Sequence, residues 1–246
     1  DQTTLEWYLF GGSVVVFQVL YLACGIINSQ GAKSKSCWIS HVHCFFTVPS
    51  ACFYWLTQPV DFWSSQWMLE GPGGDLNDWM RCTVAFSVGY FVNDMVLILM
   101  DPEVGGMDML VHHILCIGFW GGGLLDKCGT AYHFLFMIEE LPTPFLNLRF
   151  QFRDSKDGII YKVSQAGFVI LFFLSRIVIG TGIMACNATT MPAYYALQSS
   201  WTKAHIVGQS VAWILSRVLN FFWFSKIVKI VLRGGHKQHF DEDKLD

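Results

Sequence analysis

Charge is what this sequence has least of. Only 14% of its residues are Asp, Glu, Lys or Arg, against about a quarter in ordinary soluble domains. The deficit is too large for a water-facing surface around one core, and it points to lipid as the solvent. The formal net charge of −3 supplies no electrostatic basis for a nucleic-acid partner. Organised cysteine spacing is missing too. The eight cysteines (Cys24, Cys37, Cys44, Cys52, Cys82, Cys116, Cys128 and Cys186) show no C-x-x-C pair and no framework pattern. In apolar surroundings they read as small hydrophobes, so no metal or redox cofactor is expected. The first apolar stretch has neither a basic leader nor a small-residue cleavage pattern, and is expected to be a retained anchor. No internal repeat is visible. A retinal Schiff base needs a mid-span lysine, whereas Lys226 and Lys229 lie toward the end of the last apolar stretch. No Asp-Arg-Tyr follows the third stretch, so a seven-span receptor is also disfavoured.

Apolar residues are abundant: 53% of the chain is hydrophobic and 16% aromatic, with a mean hydropathy of +0.40. A bilayer core of about 30 Å needs roughly 20 residues of helix. Seven stretches reach that scale: 6–27, 38–57, 79–100, 108–125, 130–150, 161–185 and 204–232. The expected fold class is therefore an all-α polytopic membrane protein with seven transmembrane helices. The fourth and fifth stretches are the weakest, being short or carrying polar groups. Basic residues gather in alternate loops: Lys33 and Lys35, then Arg149, Arg153, Lys156 and Lys162, then Lys226, Lys229, Arg233 and Lys237. Lys and Arg favour the cytoplasmic side, so the N-terminus is expected outside or in the lumen and the tail in the cytosol. Asn187-Ala188-Thr189 matches the N-glycosylation pattern and would then be lumenal. Cys128 and Cys186 fall on that side too, which leaves a disulfide between them open.

Polar groups inside the spans are where function is expected. An ionisable side chain at the bilayer centre costs at least ~2.5–3.5 kcal/mol and usually faces a bundle interior. This chain carries Asp94 in the third stretch, His112 and His113 in the fourth, His133, Glu139 and Glu140 in the fifth, Arg176 in the sixth and Arg217 in the seventh. Asp108 stands four residues before His112, on the same helical face, where it would orient the imidazole. Glu140, Pro144 and Asn147 form one stripe, with Glu139 and Thr143 beside it. Pro142 and Pro144 remove two backbone donors and are expected to kink that helix. The plain alternative for the glutamates is neutralisation by Arg176 or Arg217 without further role. His41, His43 and His205 read as interfacial groups.

Three stretches together resemble the TLC-domain family: "GYFVNDM" (Gly89–Met95), "MDMLVHHILC" (Met107–Cys116) and "EELPTPFLNLRF" (Glu139–Phe150). "SRIVIGTG" (Ser175–Gly182) is similar to the short members, which lack the homeobox-like insert of animal ceramide synthases. The resemblance implies a first anchor helix and loop (1–37), a TLC domain of six helices in a barrel-like bundle around a cavity (38–233), and a cytoplasmic tail (234–246). It also implies an endomembrane location such as the endoplasmic reticulum. In ceramide synthases the histidine pair takes part in acyl transfer from acyl-CoA to a sphingoid amine. This chain departs from that pattern, with Glu139, Glu140 and Thr143-Pro144 where the synthases carry His-Asp and Asp-Pro.

Two readings follow. In the first, the protein binds, senses or moves a membrane lipid (a sphingolipid, a fatty acyl chain or a phospholipid). Asp94, His112, His113, His133, Glu139, Glu140, Thr143, Asn147, Arg176 and Arg217 would line its cavity. In the second, it is an N-acyltransferase with acyl-CoA as co-substrate, and His112, His113, Asp94 and Asp108 do the chemistry. Neither needs a cofactor. A homodimer is compatible with both.

Overall fold

Helix α1 (Gln2–Ile27) runs along the outside of the bundle, and only 11% of its most apolar window is buried. Helix α3 (Gly74–Met100) is the centre, with 61% of its window buried. The computed structural model describes residues 2–27, 31–57, 64, 69–71 and 73–233. Between and after these two come α2 (Ala32–Thr57), α4 (Met107–Asp126), α5 (Thr130–Leu135, tightening to 3₁₀ over Phe136–Glu140), α6 (Thr143–Gln151), α7 (Ile159–Ala196) and α8 (Ser200–Arg233). No strand occurs among the described residues. The expected tail, 234–246, lies outside them.

Among the described residues, five helices are long and apolar enough to cross a membrane: Thr3–Ile26, Gly74–Met100, Met107–Asp126, Ile159–Ala196 and Ser200–Leu232. The other two of the seven expected segments fall short of that measure, each for its own reason. Helix α2 has the length, 26 residues, but its serines, histidines and lysines keep it below the apolarity of the five. Those polar residues face inward: Ser36, Ser40, His43 and Thr47 are buried. The expected fifth stretch is split between α5 and α6 at Leu141–Pro142. Pro142 has no N–H for a helical bond, so the Leu141 amide turns back to the Ile138 carbonyl at 3.0 Å instead. Pro144 sits in the first turn of α6, where an amide has no intrahelical partner anyway.

Close approaches fix the packing. Gly89 of α3 lies against Phe10 and Ser13 of α1, and a β-carbon there would meet the Ser13 hydroxyl and the Phe10 carbonyl. Farther along, Arg81 of α3 grips Glu6 of α1 at 2.6 and 2.7 Å, both side chains buried. The turn from α4 to α5 passes through left-handed backbone at Lys127 (φ 53°) and Gly129 (φ 80°), and the Gly129 amide donates to the Leu69 carbonyl at 2.6 Å. Phe17, Tyr54, Phe91, Trp120, Phe134 and Trp213 anchor the main apolar core. A smaller cluster of Phe168, Phe172 and Ile227 forms between α7 and α8, with Trp223 and Phe224 packed on it. Many large apolar side chains of the outer faces, among them Val19, Phe45, Leu56 and Val218, are exposed, as a lipid solvent requires.

Candidate functional site

Helix α4 aims its two histidines in different directions, and their partners differ accordingly. His113 is held at both ring nitrogens. Its Nδ1 lies 2.7 Å from the Met109 carbonyl and its Nε2 lies 2.9 Å from Asp94 Oδ2. A carbonyl only accepts, so Nδ1 must carry a proton. Nε2 and the Asp94 carboxyl therefore share a second one, as imidazolium with carboxylate or as imidazole with acid. In either case His113 has no free lone pair to offer a ligand. Ser36 of α2 donates to the other oxygen of Asp94 at 2.9 Å, so three helices meet at this carboxylate.

His112 is the less committed of the two. Among the described residues its ring nitrogens meet only the Cys116 sulfur, at 3.6 and 3.7 Å. Aromatic edges surround it: Phe91, His113 and Trp223 have ring centroids 6.3, 5.5 and 5.3 Å away. The expected Asp108–His112 contact does not form. Asp108 instead accepts the Trp223 indole N–H at 2.8 Å, with the Lys226 ammonium 3.9 Å away. An i, i+4 spacing puts two residues on one face, but Asp108 sits in the first turn, where the facing helix α8 supplies a better donor and a cation. The carboxylate thus reaches His112 only through Trp223.

Glu139 and Glu140 leave the 3₁₀ turn on different sides, and each takes an arginine. Arg176 Nη2 donates to Glu140 at 3.2 Å, while its Nε donates to the Glu139 carbonyl at 2.8 Å. Thr143 adds a bond to the other Glu140 oxygen at 2.8 Å. Arg217 of α8 pairs with the Glu139 carboxylate and donates to the Arg176 carbonyl at 2.7 Å. Asn220 bridges, donating to Glu139 at 3.2 Å and accepting from Arg176 at 3.3 Å. Ser175 and Arg176 are both buried, in the segment Phe172–Ile179 that is wound as a π-helix. The wider turn changes the rotation between successive side chains, a distortion frequent at functional sites.

These groups surround a cavity of about 190 Å³. Of the expected cavity residues, Asp94, His112, His113, Glu140, Thr143, Asn147 and Arg176 line it. Asp108, Glu139 and Arg217 do not line it; Glu139 and Arg217 stand behind Arg176 and hold it. His133 is elsewhere. It borders a separate void of about 10 Å³ with Asn187, Gln209 and Trp213. Asn187 itself is 6% exposed and lies inside α7, so its side chain has no room for a glycan in this packing. Cys128 and Cys186 are free thiols. His43 is another correction: it is 1% exposed rather than interfacial, stacked on Tyr90 at 4.0 Å and bonded to Ser87 at 2.9 Å. His41 is half-buried, 3.3 Å from Gln151, and His205 is half-buried near Asp126.

His43, Cys44 and Glu140 bring donor atoms within 4.8 Å of one another. Both Glu140 oxygens are already engaged, by Thr143 and by the Arg176 guanidinium, which makes the trio a poor cradle for a cation although His43 Nδ1 has no partner. Sequence reasoning missed Ser36, Trp223 and Asn220 as partners, since a lone serine, tryptophan or asparagine in an apolar span carries no periodic signal. Lys33, Arg149 and Arg153 were read only as markers of orientation, yet all three line the cavity.

Fold and site together define an all-helical, multi-pass integral membrane protein that keeps a cluster of titratable side chains inside its helix bundle. The chain belongs to the TLC-domain family, whose pattern matches residues 33–229 and leaves α1 outside. It is 30% identical to TLC domain-containing protein 4-A of Xenopus laevis, over 93% of this chain and 92% of that one. It is 26% identical to TLC domain-containing protein 4-B of Danio rerio over 91% and 88%. TLC domain-containing protein 1 of Rattus norvegicus is 30% identical over 40% and 42%. No solved structure matches the chain.

Proposed function

We propose that the protein binds a membrane lipid in the 190 Å³ cavity and thereby acts in lipid handling. One observation carries the reading. The cavity is lined both by paired polar groups, Asp94–His113 and Glu140–Arg176, and by the apolar side chains of Leu146, Phe168, Phe172 and Ile227. Buried ion pairs add little net stability, so an amphiphilic occupant explains their retention better than folding does. In this proposal α2 and the α5–α6 pair also cross the bilayer, giving seven spans with the last six as a barrel-like bundle. The N-terminus lies in the lumen of the endoplasmic reticulum or a related endomembrane. The test is lipid extraction and mass analysis of the purified protein beside a Leu146→Trp/Phe168→Trp variant that fills the cavity. A defined lipid present in the parent and depleted in the folded variant is expected. Equal lipid in both would sink the reading.

A second reading is favoured by His112 alone. Among the described residues its nitrogens meet only a weakly bonding thiol, which leaves one lone pair to take a proton from an amine or to attack an acyl thioester. In that role acyl-CoA is the co-substrate and His113, with Asp94, keeps its neighbour in place. N-acyl transfer to a sphingoid base, in membranes lacking other such activity, tests it. Product that disappears with His112→Ala supports the reading, and product that survives removes His112 from the chemistry.

A further inference from the structure

Three residues that line the void of about 10 Å³ beside His133 each carry a buried polar atom with no partner among the described residues: Asn187 Oδ1, Gln209 Nε2 and Trp213 Nε1. The residues are 6%, 7% and 5% exposed. Gln209 and Trp213 stand four apart on α8 and so share one face of it, while Asn187 comes from α7 and His133 from α5. Phe119 and Phe136 pack on the Trp213 indole, with ring centroids 6.2 and 4.9 Å away, and neither has an oxygen or nitrogen to accept its N–H. A buried donor or acceptor left unpaired costs more than an average hydrogen bond contributes. Three of them gathered at one void call for something that joins them.

Size and chemistry narrow the occupant. A void of about 10 Å³ has room for one water-sized sphere. Two of the three open atoms are N–H donors, which disfavour a metal cation, and no carboxylate lines the void among the described residues. An apolar occupant would leave all three atoms unpaired. We infer that a single water molecule is bound here as a fixed part of the fold, accepting from Trp213 Nε1 and Gln209 Nε2 and donating to Asn187 Oδ1, so that it ties α7 to α8. Water offers two lone pairs and two protons, and these bonds leave one proton over. The Ser210 hydroxyl, which lines the same void, gives its own proton to the Ile206 carbonyl at 2.7 Å and keeps a lone pair to accept it. Buried waters typically make about three hydrogen bonds. Asn187 thus holds water at this junction, a role separate from the lipid cavity.

The test starts with an experimental structure of the full chain at a resolution that shows ordered water. A density peak within about 2.7–3.2 Å of Trp213 Nε1, Gln209 Nε2 and Asn187 Oδ1 is expected. No peak, or a peak that bonds to only one of them, overturns the inference. Melting temperatures in detergent read the same site independently. Gln209→Met and Asn187→Leu each remove one partner and strand the others, so each should melt about 2–8 °C below the parent. The double variant should lose clearly less than the sum, because the second substitution acts on a bridge already broken. Additive losses, or single variants that melt above the parent, show the groups to be unlinked and overturn the inference as well. If the variants do not fold, the peak in the parent decides alone.

Discussion

Replacing Arg217 by methionine strips Glu139 of its main partner in the bundle interior. Two donations disappear at once, one to the Glu139 carboxylate and one to the Arg176 carbonyl at 2.7 Å. What is left to Glu139 is the Asn220 amide at 3.2 Å, with Oε1 still unbonded. Hydrogen bonds to charged groups contribute about 1.5–3 kcal/mol each, and breaking one side of a buried pair costs about 3–5 kcal/mol. The expected loss for Arg217→Met is therefore about 3–5 kcal/mol. At roughly 2–4 °C per kcal/mol for a chain of this size, that is on the order of 10 °C in melting temperature. The assay is thermal unfolding in detergent followed by size-exclusion chromatography. Glu139→Gln/Arg217→Met removes both charges and should recover much of the loss, because no unpaired carboxylate stays buried. A single variant within about 1 kcal/mol of the parent, or a double variant losing the sum of both singles, would refute the argument.

Other outcomes follow from the same geometry. Gly180→Ala should destabilise by about 1–3 kcal/mol, seen as a lower melting temperature, since its new methyl would meet both Arg217 and Glu139. Gly123→Ala should do likewise through the His133 ring, and His133→Ala should partly rescue it, as a double-variant melt would reveal. Asp94→Asn keeps the shape but loses the charge-assisted contact to His113, about 1.5–3 kcal/mol, and lipid retained on purification should fall with it. Gly89→Leu should loosen α1 from α3, where protease access at the α1–α2 connection is the readout; unchanged cleavage would contradict the packing at Ser13.

How far the sequence reached can be judged residue by residue. Composition and the lengths of its apolar runs were enough for an all-helical membrane protein, because lipid permits few other spanning structures. The break in the fifth stretch was legible at Pro142, since a missing amide is a local property. The grouping of Asp94, His112, His113, Glu140 and Arg176 was legible as well, because charges costly to lipid must share an interior.

Partnership was not legible, and only the tertiary structure decided it. Asp94 chose His113 rather than its neighbour, Asp108 chose Trp223 of α8, and Glu139 and Glu140 divided Arg217 and Arg176 between them. His43, expected at a membrane interface, went to the core, and His133, expected in the main cavity, borders a separate void. The reason is physical. Hydropathy and helical period depend on neighbours along the chain, whereas a hydrogen bond between α4 and α8 depends on crossing geometry and on turns such as the π-helix in α7. The sequence by itself determined that these charges had to be buried; which of them meet was settled by how the helices cross.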